Sequence, residues 1–198
     1  MQPFTFNTVA RVVSAAGAAL NLSDHCAALR VERPLLVTDP GLIQIGLVQP
    51  VIAALESAGL QVTLFDQVRE DPPEATVEAA AEQAREAGVD GVIAVGGGSS
   101  MDVAKVVAAL VGGDQTLQAM YGVDQVSGTR LPLILVPTTA GTGSEVTPVA
   151  VITTGETTKA GVSSAVLLPD IAVLDADLTL GLPPAVTAMT GVDAMVHA

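Results

Sequence analysis

From residue 34 onward the chain alternates between two patterns of apolar and polar positions. Short aliphatic runs, unbroken by polar residues, lead through a Gly or Pro turn into Ala-rich stretches whose apolar positions recur with helical spacing. This predicts a strand over "PLLVTD" (34–39) and a helix over "QPVIAALESAG" (49–59), with Pro50 near its first turn and Gly59 just past its end. A strand over "QVTLFD" (61–66) follows. The pattern repeats as a helix over 72–88 closed by Gly88, a buried strand "GVIAV" (91–95), a helix over 100–110 and a strand "LPLILVPTT" (131–139). Continuous apolar strands separated by amphipathic helices imply a doubly wound α/β domain, with a parallel sheet covered on both faces and right-handed crossovers.

After residue 140 the rhythm changes. "AVITT" and "AGVSSAVLL" flank the polar "GETTK", which predicts a β-hairpin inserted into the α/β pattern. The stretch 170–186 then leads into a last helix starting near Pro183 or Pro184, so the chain divides into an α/β part, 1–182, and a first helix of something else, 183–198. In that helix Asp193 and His197 stand four residues apart, on one face, where both could grip a cation. A protein metal site normally takes more ligands than these two. No tandem repeat, low-complexity tract or linker interrupts the chain.

Composition sharpens this picture. Of the 198 residues 49% are hydrophobic but only 2% are aromatic, so the core is built from Ala, Val, Leu and Ile. A net charge of -13 with 8 Lys and Arg in total argues against a nucleic-acid partner, and its plain use is solubility. The single cysteine, Cys26, excludes an internal disulfide and suits a reducing cytoplasm, as a buried small hydrophobe. With no secretory pattern at the start and no apolar window long enough for a membrane span, a soluble cytoplasmic protein without membrane association is expected.

Two loops carry candidate chemistry. In "GVIAVGGGSSMDVAK" the glycines Gly96, Gly97 and Gly98 follow a strand directly, at the end of the sheet where open α/β folds bind ligands. Free amides at the start of the next helix would face a phosphate. Ser99 can cap that helix, with Asp102 as reciprocal partner of a capping box, and Asp102 and Lys105 read equally well as a cap and a solvated charge. The run is neither GxGxxG nor a P-loop, so a plain glycine turn before a capped helix stays open. "VPTTAGTGSEVTP" follows another buried strand and concentrates Thr138, Thr139, Thr142 and Ser144 with two glycines, either as ligand donors or as turns that satisfy local backbone. Asp39 ends the strand "PLLVTD", where an acid can accept from adenosine ribose hydroxyls and repel a 2′-phosphate, or serve its own turn.

"GGGSSMDVAK", "PTTAGTGSEVT", "LLPDIAVLDADL" and "GVDAMVHA", in this order, resemble the iron-containing, group III alcohol dehydrogenases, from about residue 30 to the last residue. The resemblance implies a Rossmann-like NAD(P)-binding domain and a helical carboxyl-terminal domain that completes a divalent metal site. It implies that Gly97, Gly98 and Ser99 cradle the pyrophosphate and that Thr138 and Thr139 contact the diphosphate and nicotinamide side. Lys159 and Leu178 would line the cofactor cleft, and Asp39 would meet the ribose, favouring NAD over NADP. Asp193 and His197 match the first two ligands of an Asp and three His set, for Fe²⁺ or Zn²⁺.

The other two histidines have no counterpart, since His25 matches no ligand position. The helical domain is thus expected to be absent, and the chain to be an amino-terminal piece of a longer dehydrogenase, inactive on its own. No catalytic residue is assigned within it. The expected substrate is a small alcohol or aldehyde. A homo-oligomer is also expected, because Val192, Met195 and Val196 of the last helix would be left uncovered. Alternatives are a maleylacetate reductase, glycerol dehydrogenase or dehydroquinate synthase-like enzyme on the same fold, or a non-catalytic nucleotide-binding module.

Overall fold

The structure, a computed structural model, describes residues 7–155 and 157–197, and of residue 197 only the backbone. In chain order the elements are β1 (Arg11–Ser14), α1 (Leu22–Leu29), β2 (Pro34–Val37), α2 (Pro40–Gln44), α3 (Gln49–Ser57), β3 (Thr63–Phe65), α4 (Glu74–Glu86) and β4 (Gly91–Gly96). There follow α5 (Gly98–Gly112), α6 (Leu117–Met120), β5 (Gly122–Val123), β6 (Leu133–Pro137), β7 (Val149–Thr154), β8 (Thr158–Ser163), β9 (Ile171–Leu174) and α7 (Pro184–His197).

Six strands form one sheet in the order β1-β9-β6-β4-β2-β3, and every neighbouring pair is parallel. The central strands β2, β4 and β6 are buried throughout, because helices cover both faces. Successive side chains of β2 serve opposite sides: Leu35 joins the cluster with Val77, Ala80 and Ala104 of α4 and α5, and Leu36 joins the cluster with Cys26, Val51 and Leu55 of α1 and α3. Ala80, Ala81, Ala84, Ala104 and Ala108 let α4 and α5 approach closely, so the core closes with almost no aromatic residues. Cys26 is fully buried, and loss of water pushes its thiol up to about 11.

The doubly wound parallel sheet and the hairpin agree with the sequence reading. Strand β7 pairs antiparallel with β8 from Val149 opposite Ser163 to Thr154 opposite Thr158, and β5 adds a third strand to this small sheet. Two strands of the main sheet escape the pattern. β9 is only four residues long and lies in the stretch read as a lead into the last helix, yet it pairs between β6 and β1. β1 is an edge strand whose side chains are mostly exposed, so no apolar run marks it. α5 also starts earlier than predicted, at Gly98, which places the end of the glycine run inside the helix. Along α7 Val192, Met195 and Val196 are exposed, Met195 to 79%. Among the described residues no helix is long and apolar enough to cross a membrane.

Candidate functional site

The carboxyl ends of β4 and β6 lie side by side, and the two loops singled out in the sequence leave from them. Gly97 is the extended residue before α5, and no side chain caps the helix. The amides of Gly98, Ser99 and Ser100 fall in its first turn, where backbone donors have no intrahelical acceptor. A 15-residue helix therefore presents an uncapped positive end at the sheet rim. Ser99 is inside the first turn rather than at the cap, which corrects the capping-box reading.

The threonine loop folds back over this helix start. Thr138 is buried and its N–H donates to the Gly96 carbonyl at 3.0 Å, tying the two strand ends together. Thr139 lies beside Gly97, its Oγ1 3.7 Å from where a Cβ would stand. Gly143 adopts φ 64°, a left-handed conformation that reverses the chain and that side chains resist. The reversal brings Thr142 against Gly98, where a Cβ would come within 2.9 Å of the Thr142 Cγ2. It also brings Ser144 against the flank of α5.

There the side chains interlock. The Ser144 hydroxyl donates to Asp102 Oδ1 at 2.6 Å and accepts from Lys105 Nζ at 2.8 Å. Lys105 donates as well to the Val149 carbonyl at 2.7 Å, and the Val151 N–H donates to Asp102 Oδ2 at 2.9 Å. Asp102 is thus turned toward β7 and away from the helix start, so it caps nothing. Lys105 is not a solvated charge either: it is 0% exposed, 3.7 Å from Asp102 Oδ1. Loss of water raises the Asp102 carboxyl and lowers the Lys105 ammonium to about 8, each held back in part by the other's charge. A lysine surrounded by apolar residues in "MDVAKVVAAL", three positions after an aspartate, was the available sign of this pair.

Two clefts meet over the start of α5. One, of about 290 Å³, is bounded by Asp39, Arg69, Glu70, Gly97, Gly98 and Ser99. The other, of about 800 Å³, shares Gly98 and Ser99 and continues past Asp102, Thr142, Ser144 and Lys159 to Asp193. Asp39 caps α2 through its Oδ1, which accepts from the Leu42 N–H at 3.0 Å, and Oδ2 stays available to a ligand. Lys159 is in an exposed ion pair with Asp71 at 2.6 Å. Gly96 and Thr138 support the rim from below. Leu178 is 9% exposed, packed with Ala19 and Leu22 in the core on the opposite side of the sheet, and borders neither cleft. Arg69 and Asp71 were missed, because the segment after β3 carries no motif.

α7 crosses this rim at Gly141, where a Cβ would lie 2.6 Å from the Thr190 carbonyl, and so carries Asp193 to the far end of the larger cleft. The side chain of His197 lies outside the described residues. Among the described residues no three His, Cys, Asp or Glu side chains gather as a metal-holding group, so Asp193 alone does not make a metal site. The first turn of α5 and the glycines beneath it, by contrast, fit an extended ligand with an anionic middle.

The model for "Iron-containing alcohol dehydrogenase" matches residues 10–176. The chain belongs to the iron-containing alcohol dehydrogenase family. It is 48% identical over 185 residues to a 4-hydroxybutyrate dehydrogenase of Cupriavidus necator, covering 91% of this chain and 48% of that relative. A crystal structure of a 1,3-propanediol oxidoreductase superposes with a TM-score of 0.94 at 32% identity, over 99% of this chain and 52% of that one. A sulfoacetaldehyde reductase from Bifidobacterium kashiwanohense, solved in complex with NAD⁺, gives 0.86 at 32% identity, over 98% and 51%. The chain spans about half the length of the relatives it matches. Both loops at the rim, and the Asp102–Ser144–Lys105 cluster, lie within the part that matches the iron-containing alcohol dehydrogenases.

Proposed function

We propose that this chain is the nucleotide-binding part of a metal-dependent alcohol dehydrogenase, and that a dinucleotide lies across the start of α5. The observation that carries this reading is the pair of clefts sharing Gly98 and Ser99, with Asp39 at one end and Asp193 at the other. The pyrophosphate would accept from the amides of the first helical turn, beside Thr139 and Thr142. The ribose of the adenosine half would meet Asp39 Oδ2, whose charge repels a 2′-phosphate, so NAD is preferred to NADP. The nicotinamide half would extend along Ser144 and Lys159 toward Asp193.

When bound, the cofactor supplies hydride acceptance, and the residues of this chain bind it, orient it and keep its phosphates neutralised by helix amides. Asp193 and His197 are the ligands this chain would contribute to a site for Fe²⁺ or Zn²⁺, and the substrate would be a small alcohol or aldehyde. The names of the relatives support the alcohol class without fixing its size: they include a 1,3-propanediol oxidoreductase, a butanol dehydrogenase and a long-chain-alcohol dehydrogenase. The chain with NAD and added Fe²⁺ or Zn²⁺ is expected to show no alcohol turnover, because two ligands hold a metal weakly. The deciding measurement is calorimetry with NADH and NADPH. Saturable heat with NADH, and weaker binding of NADPH, is expected, and no heat with either would end the dinucleotide reading.

A further inference from the structure

Lys105 has no part in that account, yet it is a charged side chain with no exposure to water. An ammonium withdrawn from water destabilises a fold unless its surroundings repay it, and a methionine would fill the same volume without that penalty. What Lys105 reaches explains its presence. Its two donated bonds end on Ser144, in the threonine loop, and on the Val149 carbonyl, at the first residue of β7. Asp102, one turn earlier on α5, holds the same serine and the same strand, accepting from the Ser144 hydroxyl and the Val151 N–H. Three elements are thereby fixed to one another by four bonds. Near Ser144 the loop's other bonds are internal, from the Ser144 N–H to Thr142 Oγ1 at 3.2 Å and from the Val146 N–H to the Gly143 carbonyl at 3.0 Å, while its ends are held by Thr138 on Gly96, by the Thr8 hydroxyl on the Val146 carbonyl at 3.3 Å and by the Ser164 N–H on the Pro148 carbonyl at 2.9 Å.

We propose that Lys105 is a positioning residue that holds the Thr142–Ser144 wall of the larger cleft in the shape that receives the dinucleotide phosphates. This rests on the dinucleotide reading above. Through Ser144 it sets where Thr142 stands over Gly98, and so the width of the passage between the loop and the first turn of α5. The charged groups facing the ammonium are Asp102 from its own helix and Glu145 from the loop, while β7 offers only the Val149 carbonyl. Their attraction is outweighed by loss of water, so the ammonium discharges near pH 8, well below the ordinary lysine range. Phosphates placed beside this wall would favour the ammonium over the neutral amine, so the dinucleotide binds more tightly where Lys105 keeps its proton.

The test is a fluorescence titration of NADH onto the chain at pH values on either side of about 8, for wild type and Lys105→Met. Wild type is expected to lose affinity several-fold as pH rises through that value. Lys105→Met is expected to bind roughly tenfold more weakly than wild type at neutral pH and to show no inflection. A variant with the affinity and pH profile of wild type would overturn the proposal. Amide hydrogen exchange on unliganded wild type gives a second reading that needs neither the variant nor a ligand. Protection of residues 142–147 and of Val151, corrected for intrinsic exchange, is expected to rise from that pH toward the ordinary lysine range, because an opened loop returns Lys105 to water, where it keeps its proton, and protection that stays constant would overturn the proposal. If wild type binds no NADH at any pH, the dinucleotide reading fails, and the exchange profile still decides whether Lys105 holds the loop.

Discussion

Gly98→Ala separates the ligand role of the glycine turn from its folding role. A Cβ at Gly98 would stand 2.9 Å from Thr142 Cγ2, 3.3 Å from its Oγ1 and 3.4 Å from its Cβ. Carbon atoms pack at about 3.5–4.0 Å, so Thr142 has to retreat by roughly 0.6 Å or more. Thr142 is a half-exposed loop side chain, which puts the strain near the low end of the overpacking range, about 1 kcal/mol. Alanine is favoured over glycine in a helix by about 0.5–1 kcal/mol, which offsets most of that strain. The melting temperature should therefore stay within about 2–4 °C of wild type. Ligand binding has no such offset. The new methyl occupies the approach to the first-turn amides, and the displaced Thr142 Oγ1 no longer braces the Ser144 N–H. Losing one charge-assisted bond to a phosphate costs about 1.5–3 kcal/mol, or roughly tenfold to a hundredfold in NADH affinity. Calorimetry and thermal melts on the same preparations measure both quantities. Wild-type NADH affinity in a normally folded Gly98→Ala protein would refute the placement of the phosphates, and a collapse of the melt would show that the glycine serves folding.

Two further outcomes are expected. Asp175 is 4% exposed and its carboxylate accepts from the N–H groups of Gly17, Ala19 and Asp177, so Asp175→Ala should cost about 2–4 kcal/mol in urea unfolding, with Asp175→Asn recovering part of it; a loss within error of zero would contradict this. Lys105 has its ionisation lowered from 10.5 to about 8, so between these values the unfolded chain binds more protons than the folded one and stability should rise with pH. The gain is at most about 3 kcal/mol, is complete by the ordinary lysine value and is missing from Lys105→Met. Cys26, raised from 9.0 to about 11, contributes the opposite slope in both proteins, so the difference between wild type and variant isolates Lys105; parallel pH profiles would exclude its burial as a charged group.

What was legible in the sequence followed from how much each element buries. β2, β4 and β6 are covered on both sides and show as unbroken aliphatic runs, and the helices between them bury one face each and show as Ala-rich periodic stretches. β1 and β9 are four residues long, and neighbours rather than local pattern decide them. The position of the two loops at one rim was legible because both follow buried strands. The use of Asp102 was not: a carboxylate one turn into a helix serves a cap or a distant partner equally well in one dimension, and only the return of β7 past α5 selects the partner. The same holds for Lys105, whose charge suggests a surface until Ser144 and the Val149 carbonyl are brought to it.

The threonine loop serves two ends at once, and this accounts for its residues one by one. Gly141 has no side chain because α7 passes over it with the Thr190 carbonyl 2.6 Å from the space a Cβ would take. Thr142 packs on Gly98, Gly143 supplies the left-handed turn, and Ser144 accepts the grip of Lys105. The position of α7, and with it Asp193, is therefore referred to the same four residues that shape the passage over the start of α5. A shift of the loop away from α5 would widen that passage and unseat α7 together. The proposed cofactor and the proposed metal ligand are then not two independent sites on one scaffold. They share one support, and Lys105 and Asp102 pin that support to the sheet through α5.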